Sequence, residues 1–266
     1  MKLMTKILTG LLISSATFLH AQKMHFGSGG GLNITPTSTL LLPGSPINTT
    51  AGCAEVIDQA TGQIIFYTDG VNIWNTSHVL QSNALLNTNW NSSQLAGLKK
   101  STHAALIAPI PKSNPKSYFV FTTTAGTATT SISSGSGYGP LRVSIVREQS
   151  GALPNITFTV DPAEKNVQLT PGGVLVGEKL AITSDGTTCG YWVITDGVGT
   201  YGGNASSEPP SYIAPPGSSP AVNTNGLGRF YAYHITETTT TISQLGATRV
   251  DSYFSTGGHK SWGHSY

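Results

Sequence analysis

One hairpin recurs three times along the chain, and this repeat constrains the fold more than any other feature. The first copy is Gly52-Cys53-Ala54-Glu55-Val56-Ile57-Asp58, a turn containing Gly62, and Ile64-Ile65-Phe66-Tyr67-Thr68-Asp69-Gly70. The second is His103-Ala104-Ala105-Leu106-Ile107-Ala108, a Pro/Lys/Asn turn, and Tyr118-Phe119-Val120-Phe121-Thr122. The third is Glu178-Lys179-Leu180-Ala181-Ile182-Thr183, a turn with Asp185-Gly186, and Tyr191-Trp192-Val193-Ile194-Thr195-Asp196-Gly197. Each copy reads as a strand, a turn and a second strand dense in aromatic and β-branched residues. A third strand is expected after each pair, over 71–74, 141–147 and 230–236, with weaker fourth strands over 156–160 and 241–250. Recurrent units of roughly four strands fit the blades of a β-propeller. A sandwich also has many short strands but does not readily restate the same inner hairpin. The expected fold is therefore all-β: a partial β-propeller of about three four-stranded blades, with the start of a fourth over 253–266.

Composition agrees. Only 10% of residues are charged, whereas Gly, Ser and Thr are abundant, which suits tight turns and disfavours long helices. The first residues have the form of a signal peptide. Lys2 and Lys6 supply a basic start, and Ile7 to Leu19 is apolar but too short to span a bilayer. Leu19-His20-Ala21 places a small residue before the expected cut, so the mature chain is expected to start at Gln22. The domain plan is thus 1–21 signal peptide and 22–266 incomplete propeller. Without Lys2 and Lys6, basic and acidic residues balance. A neutral surface argues against nucleic acid as a partner, and no later run is apolar enough for a membrane helix. Export permits a disulfide. Cys53 and Cys189 nevertheless fall in units separated by an intervening blade, so both are expected to be free thiols.

The motifs carry a resemblance. Gly52-Cys53-Ala54 through Asp69-Gly70 to Ile73-Trp74-Asn75 is similar to a recurrent N-terminal module of large secreted proteins. So are Glu178-Lys179-Leu180 with Tyr191 to Thr195, Phe230-Tyr231-Ala232-Tyr233, and the opening Phe26-Gly27 to Gly31-Leu32. The module resembles the WD40-like propellers of gliding bacteria that use type IX secretion. The chain departs from that pattern in a long insertion in the third unit, and no sorting domain is read within residues 1–266. The resemblance implies secretion or surface display and says little about ligand chemistry.

Candidate site residues come from aligning the inner strands on Ile57, Ile107 and Ile182. Four residues before each stand Cys53, His103 and Glu178, which period-2 alternation would put at equivalent ligand-binding positions at one end of the blades. They are expected to line a channel mouth rather than to share a metal ion. Two connections, 125–139 and 199–228, are rich in Gly and Ser, with Thr in the first and Pro and Asn in the second, and are candidate binding rims. Asp69-Gly70 and Asp196-Gly197 read as turns after a strand. No catalytic signature is present: the chain has no Gly-x-Ser-x-Gly elbow, and Gly27 to Gly31 lacks the Lys-Ser/Thr pair of a phosphate loop. No cofactor is implied. The leading expectation is a secreted or cell-surface binding and display module, adhesin-like, whose partner is a glycan or another protein. The alternative is an extracellular carbohydrate-active hydrolase or lyase on a propeller scaffold. Because a propeller closes last blade against first, the chain is expected to be part of a longer product or to complete itself by association. An open array would leave Val56, Ile65 and Phe66 of unit one, and Trp192, Ile194 and Phe230 of unit three, short of a neighbour.

Overall fold

The structure is a computed structural model that describes residues 22–50, 52–86, 101, 103–123, 139–170, 174–186, 190–200, 229–238 and 241–251. Expectations that fall on 1–21, 253–266 or Cys189 lie outside these residues. The described chain is all-β, with one short 3-10 turn at Pro162–Glu164. It forms four antiparallel sheets in sequence order. The first holds β1 (Gln22–Phe26), β2 (Gly30–Ile34) and β3 (Thr39–Leu41). The second holds β4 (Ala54–Ile57), β5 (Ile64–Thr68) and β6 (Ile73–Asn75). The third is β7 (Ala105–Pro109), β8 (Ser117–Thr122), β9 (Arg142–Ser150) and β10 (Thr157–Val160), with β11 (Val167–Gln168) also on β9. The fourth is β12 (Val174–Ser184), β13 (Tyr191–Thr200), β14 (Arg229–Thr238) and β15 (Thr241–Asp251).

The three repeated hairpins are β4–β5, β7–β8 and β12–β13, and the expected third and fourth strands pair where the repeat puts them. Alternation along the strands then stacks the sheets. On β8, Tyr118 and Val120 enter an apolar layer shared with the second sheet, and Phe119 and Phe121 enter one shared with the fourth. The whole of β8 is therefore buried. β5 is buried throughout as well, but its alternation is broken by a register shift opposite Val56 and Ile57. Ile65 is the extra residue, so Ile65 and Phe66 both face the third sheet, while Ile64 and Tyr67 join Ile47 and Trp74 on the other side.

Val56, Ile65 and Phe66 are consequently not short of a neighbour. Ile65 and Phe66 are buried against the third sheet, and Val56 packs on the same layer. The opposite face is covered by a segment that the repeat did not count as a unit, because 22–41 lacks the aromatic inner hairpin. In the fourth sheet Ile194 is exposed at 36%, and Trp192 is half-buried. The burial of Phe230 lies outside what is described.

Polar contacts lock the second sheet to the third. Asn75 donates from Nδ2 to the Ile156 carbonyl at 3.2 Å, and the Phe158 N–H donates to Gln81 Oε1 at 2.8 Å. Ser82 pairs with Thr159, so this turn covers the open edge of β10. The Tyr191 hydroxyl donates to the Pro109 carbonyl at 2.7 Å, tying the fourth sheet to the third. Asp69-Gly70 is a turn as expected: Oδ1 accepts from Val71 and Asn72, and Gly70 sits at φ +82. Asp196-Gly197 is not. It lies within β13, opposite Phe230 and Arg229, because β12 keeps pairing past it, Leu175 with Gly199 and Val174 with Thr200.

Candidate functional site

The repeat places the starts of the inner strands at one end of the sheets. Ala105 on β7 pairs with Thr122, the last residue of β8, and Val174 on β12 pairs with Thr200, the last of β13. β7 and β12 thus begin beside the entrances to the two long connections, and β4 begins beside the tight Asp69-Gly70 turn. Residues 124–138 and 201–228 of those connections lie outside the described residues. β7 lies against both β4 and β12, so the three inner strands are neighbours.

Of the three candidate residues, Cys53 immediately precedes β4 and is half-buried. His103 stands two residues before β7 and is exposed, with its carbonyl accepting from Thr123 Oγ1 at 3.0 Å. Glu178 lies well inside β12, half-buried, within a register shift between Val176 and Leu180. The three therefore stand at different places along their strands, Cys53 and His103 before β4 and β7 and Glu178 within β12. On β4 the alternation holds, with Ala54 and Val56 toward the third sheet and Cys53 on the other side, because the extra residue there is Ile65 of β5; on β12 the shift between Val176 and Leu180 includes Glu178. No group of three or more His, Cys, Asp or Glu suited to a metal ion occurs among the described residues.

Cys53 instead belongs to a cluster with the N-terminal sheet. Its thiol donates to the His25 carbonyl at 3.1 Å, and the His25 N–H donates to Glu55 Oε2 at 3.0 Å. The His25 ring packs on Tyr67 with centroids 4.6 Å apart and meets His78 edge-on at 5.4 Å. The Tyr67 hydroxyl and His78 Nδ1 share a hydrogen bond of 2.6 Å, and Tyr67 stacks on Trp74. Gly27 lets this sheet approach closely, since a Cβ there would stand 2.1 Å from the Thr49 carbonyl oxygen. Burial sets the electrostatics. It pushes the Glu55 carboxyl up to about 7 against the pull of the His25 N–H, and the Cys53 thiol up to about 11 with help from Glu55 and Asp69. Burial, with His78 and Lys23, lowers His25 to about 4. Cys53 is a free thiol that is protonated at neutral pH, a hydrogen-bond donor rather than a nucleophile.

A second aromatic-polar group lies on the fourth sheet. His234 Nε2 and Asp185 Oδ2 are 2.9 Å apart, and the His234 ring stacks on Trp192 at 4.7 Å. Sequence reasoning singled out neither group, because each joins residues far apart in the chain. No family model matches the chain, and neither a curated protein nor a solved structure matches it.

Proposed function

We propose that this chain is a secreted or surface-displayed β-propeller module that binds a glycan or protein ligand and does no chemistry on it. The observation that carries the reading is the convergence of the inner-strand starts and the entrances to both long connections at one end of adjacent sheets. Loops held on a rigid strand framework are where binding residues concentrate. Four antiparallel sheets in sequence order, with apolar layers between them, support the finer propeller reading, since blades pack face to face in this way. The Gly- and Ser-rich make-up of 125–139 and 199–228 supports a solvated rim with backbone and hydroxyl groups available to sugar or peptide.

The test has two parts. N-terminal sequencing of exported protein should start at Gln22; a start at Met1 or well beyond Gln22 would remove the export reading. The exported protein is then screened for binding to surface glycans and proteins. Replacing 125–139 and 199–228 by short Gly/Ser links should abolish any binding found while leaving the β circular-dichroism signal. Affinity kept after both replacements would move the site elsewhere.

A further inference from the structure

The seat of the N-terminal sheet on the second sheet centres on one residue. The polar contacts described above between β1 and β4–β6 run through His25, whose N–H meets Glu55 and whose carbonyl meets Cys53. The His25 side chain is 7% exposed, and its Nδ1 has no hydrogen-bond partner. That nitrogen stands 4.0 Å from Glu55 Oε2, about 1 Å beyond hydrogen-bond range. A buried donor–acceptor pair at this separation is one small movement from a strong bond.

We propose that His25 and Glu55 form a one-proton latch: the N-terminal sheet is seated when the pair holds a single proton and loosens when it holds none or two. With one proton the pair carries no net charge in either arrangement, so burial costs least. With none, a carboxylate is left in a desolvated place. With two, a buried imidazolium faces like charge. The groups that bear on the pair are Lys23 from β1, Cys53 and Tyr67 from the second sheet, Asp69 after β5, and His78 after β6. Residues 42–50, which also pack here, carry no charge. The directions of titration agree. Glu55 is raised, so its contribution is present below its ordinary 4.5 and is lost as pH rises through about 7. His25 is lowered, so its contribution is present above its ordinary 6.5 and is lost as pH falls through about 4.

Hydrogen exchange of backbone amides in 22–34, corrected for the intrinsic rate, tests this in the exported protein from about pH 3.5 to about pH 8.5. Protection in the native protein should be greatest between pH 4.5 and 6.5 and fall by about threefold on each side. His25→Phe leaves Glu55 as the one titrating member of the pair, and Glu55→Gln leaves His25. His25→Phe should lose the acid fall, and its protection should drop roughly 100-fold as pH rises through the Glu55 range. Glu55→Gln should do the mirror image, losing roughly 100-fold as pH falls through the His25 range. Carbon NMR of the His25 ring decides the matter without a variant: titration near 4 supports the latch, and titration near its ordinary 6.5 overturns it. Native protection that stays maximal above pH 7, or variant profiles that superimpose on the native one, would also overturn it.

Discussion

Phe66 and Phe158 meet across the layer between the second and third sheets, so replacing them measures whether those sheets are stacked. Both are essentially inaccessible, at 0% and 1% exposure. Phe66 lies on β5, with its ring 5.0 Å from that of Phe158 on β10 and 5.1 Å from Tyr118 on β8. Leucine keeps most of the apolar volume and removes the ring, which isolates the aromatic contacts. Each such contact is worth about 1 kcal/mol beyond burial. Phe66→Leu loses two and should cost about 2 kcal/mol; Phe158→Leu loses one and should cost about 1 kcal/mol. The double variant loses the shared contact only once, so it should cost about 2 kcal/mol rather than about 3, a coupling of about 1 kcal/mol. Urea unfolding followed by tryptophan fluorescence and circular dichroism supplies the four free energies. An unchanged slope with urea would confirm that the native and unfolded states are otherwise alike. A coupling below about 0.3 kcal/mol would mean that the rings do not touch. The stacking of the second sheet on the third would then have to be abandoned.

Other outcomes follow from the same contacts. Glu164→Gln weakens the bidentate pair with Arg147, whose Nη2 lies 2.7 Å from Glu164 Oε2, and should cost about 2 kcal/mol in urea unfolding. Adding Arg147→Met should recover part of that loss, and no recovery would mean that the charge is not what the pair conserves. Asp69→Ala strips two bonds from a residue only 2% exposed and should cost about 2 kcal/mol, whereas Asp69→Asn, which keeps the accepting oxygen, should restore most of it. With its thiol pushed up to about 11, Cys53 should react slowly with a thiol reagent at neutral pH until the protein is unfolded. Rapid native labelling at Cys53 would contradict its burial and its bond to the His25 carbonyl.

The repeat made the strands of the second, third and fourth sheets legible. Ile64 to Thr68, Tyr118 to Thr122 and Tyr191 to Thr195 are runs of β-branched and aromatic residues bounded by turn residues, and such runs can hardly avoid becoming strands. The pairing of each hairpin follows from its short connection, whereas β9 and β14 return across long connections and were placed by the repeat. The 22–41 sheet was not legible as a unit. Its strands are short and mixed in polarity, and they are held by the contacts of His25 with Tyr67, Glu55 and Cys53 rather than by their own pattern. Which face a residue takes was equally beyond the sequence once a bulge intervened. At Ile65 one extra residue puts two neighbours on one face, and nothing local marks it; in β12 the steps from Val176 to Leu180 stand against the shorter stretch from Gly197 to Thr195, and Gly177 is the local mark of that shift. Cys53, His103 and Glu178 were found by counting along strands, and the tertiary structure gives them three different settings. His25, Glu55, Tyr67 and His78 share no spacing at all, and only the docking of the first sheet on the second brings a buried imidazole beside a half-buried carboxyl.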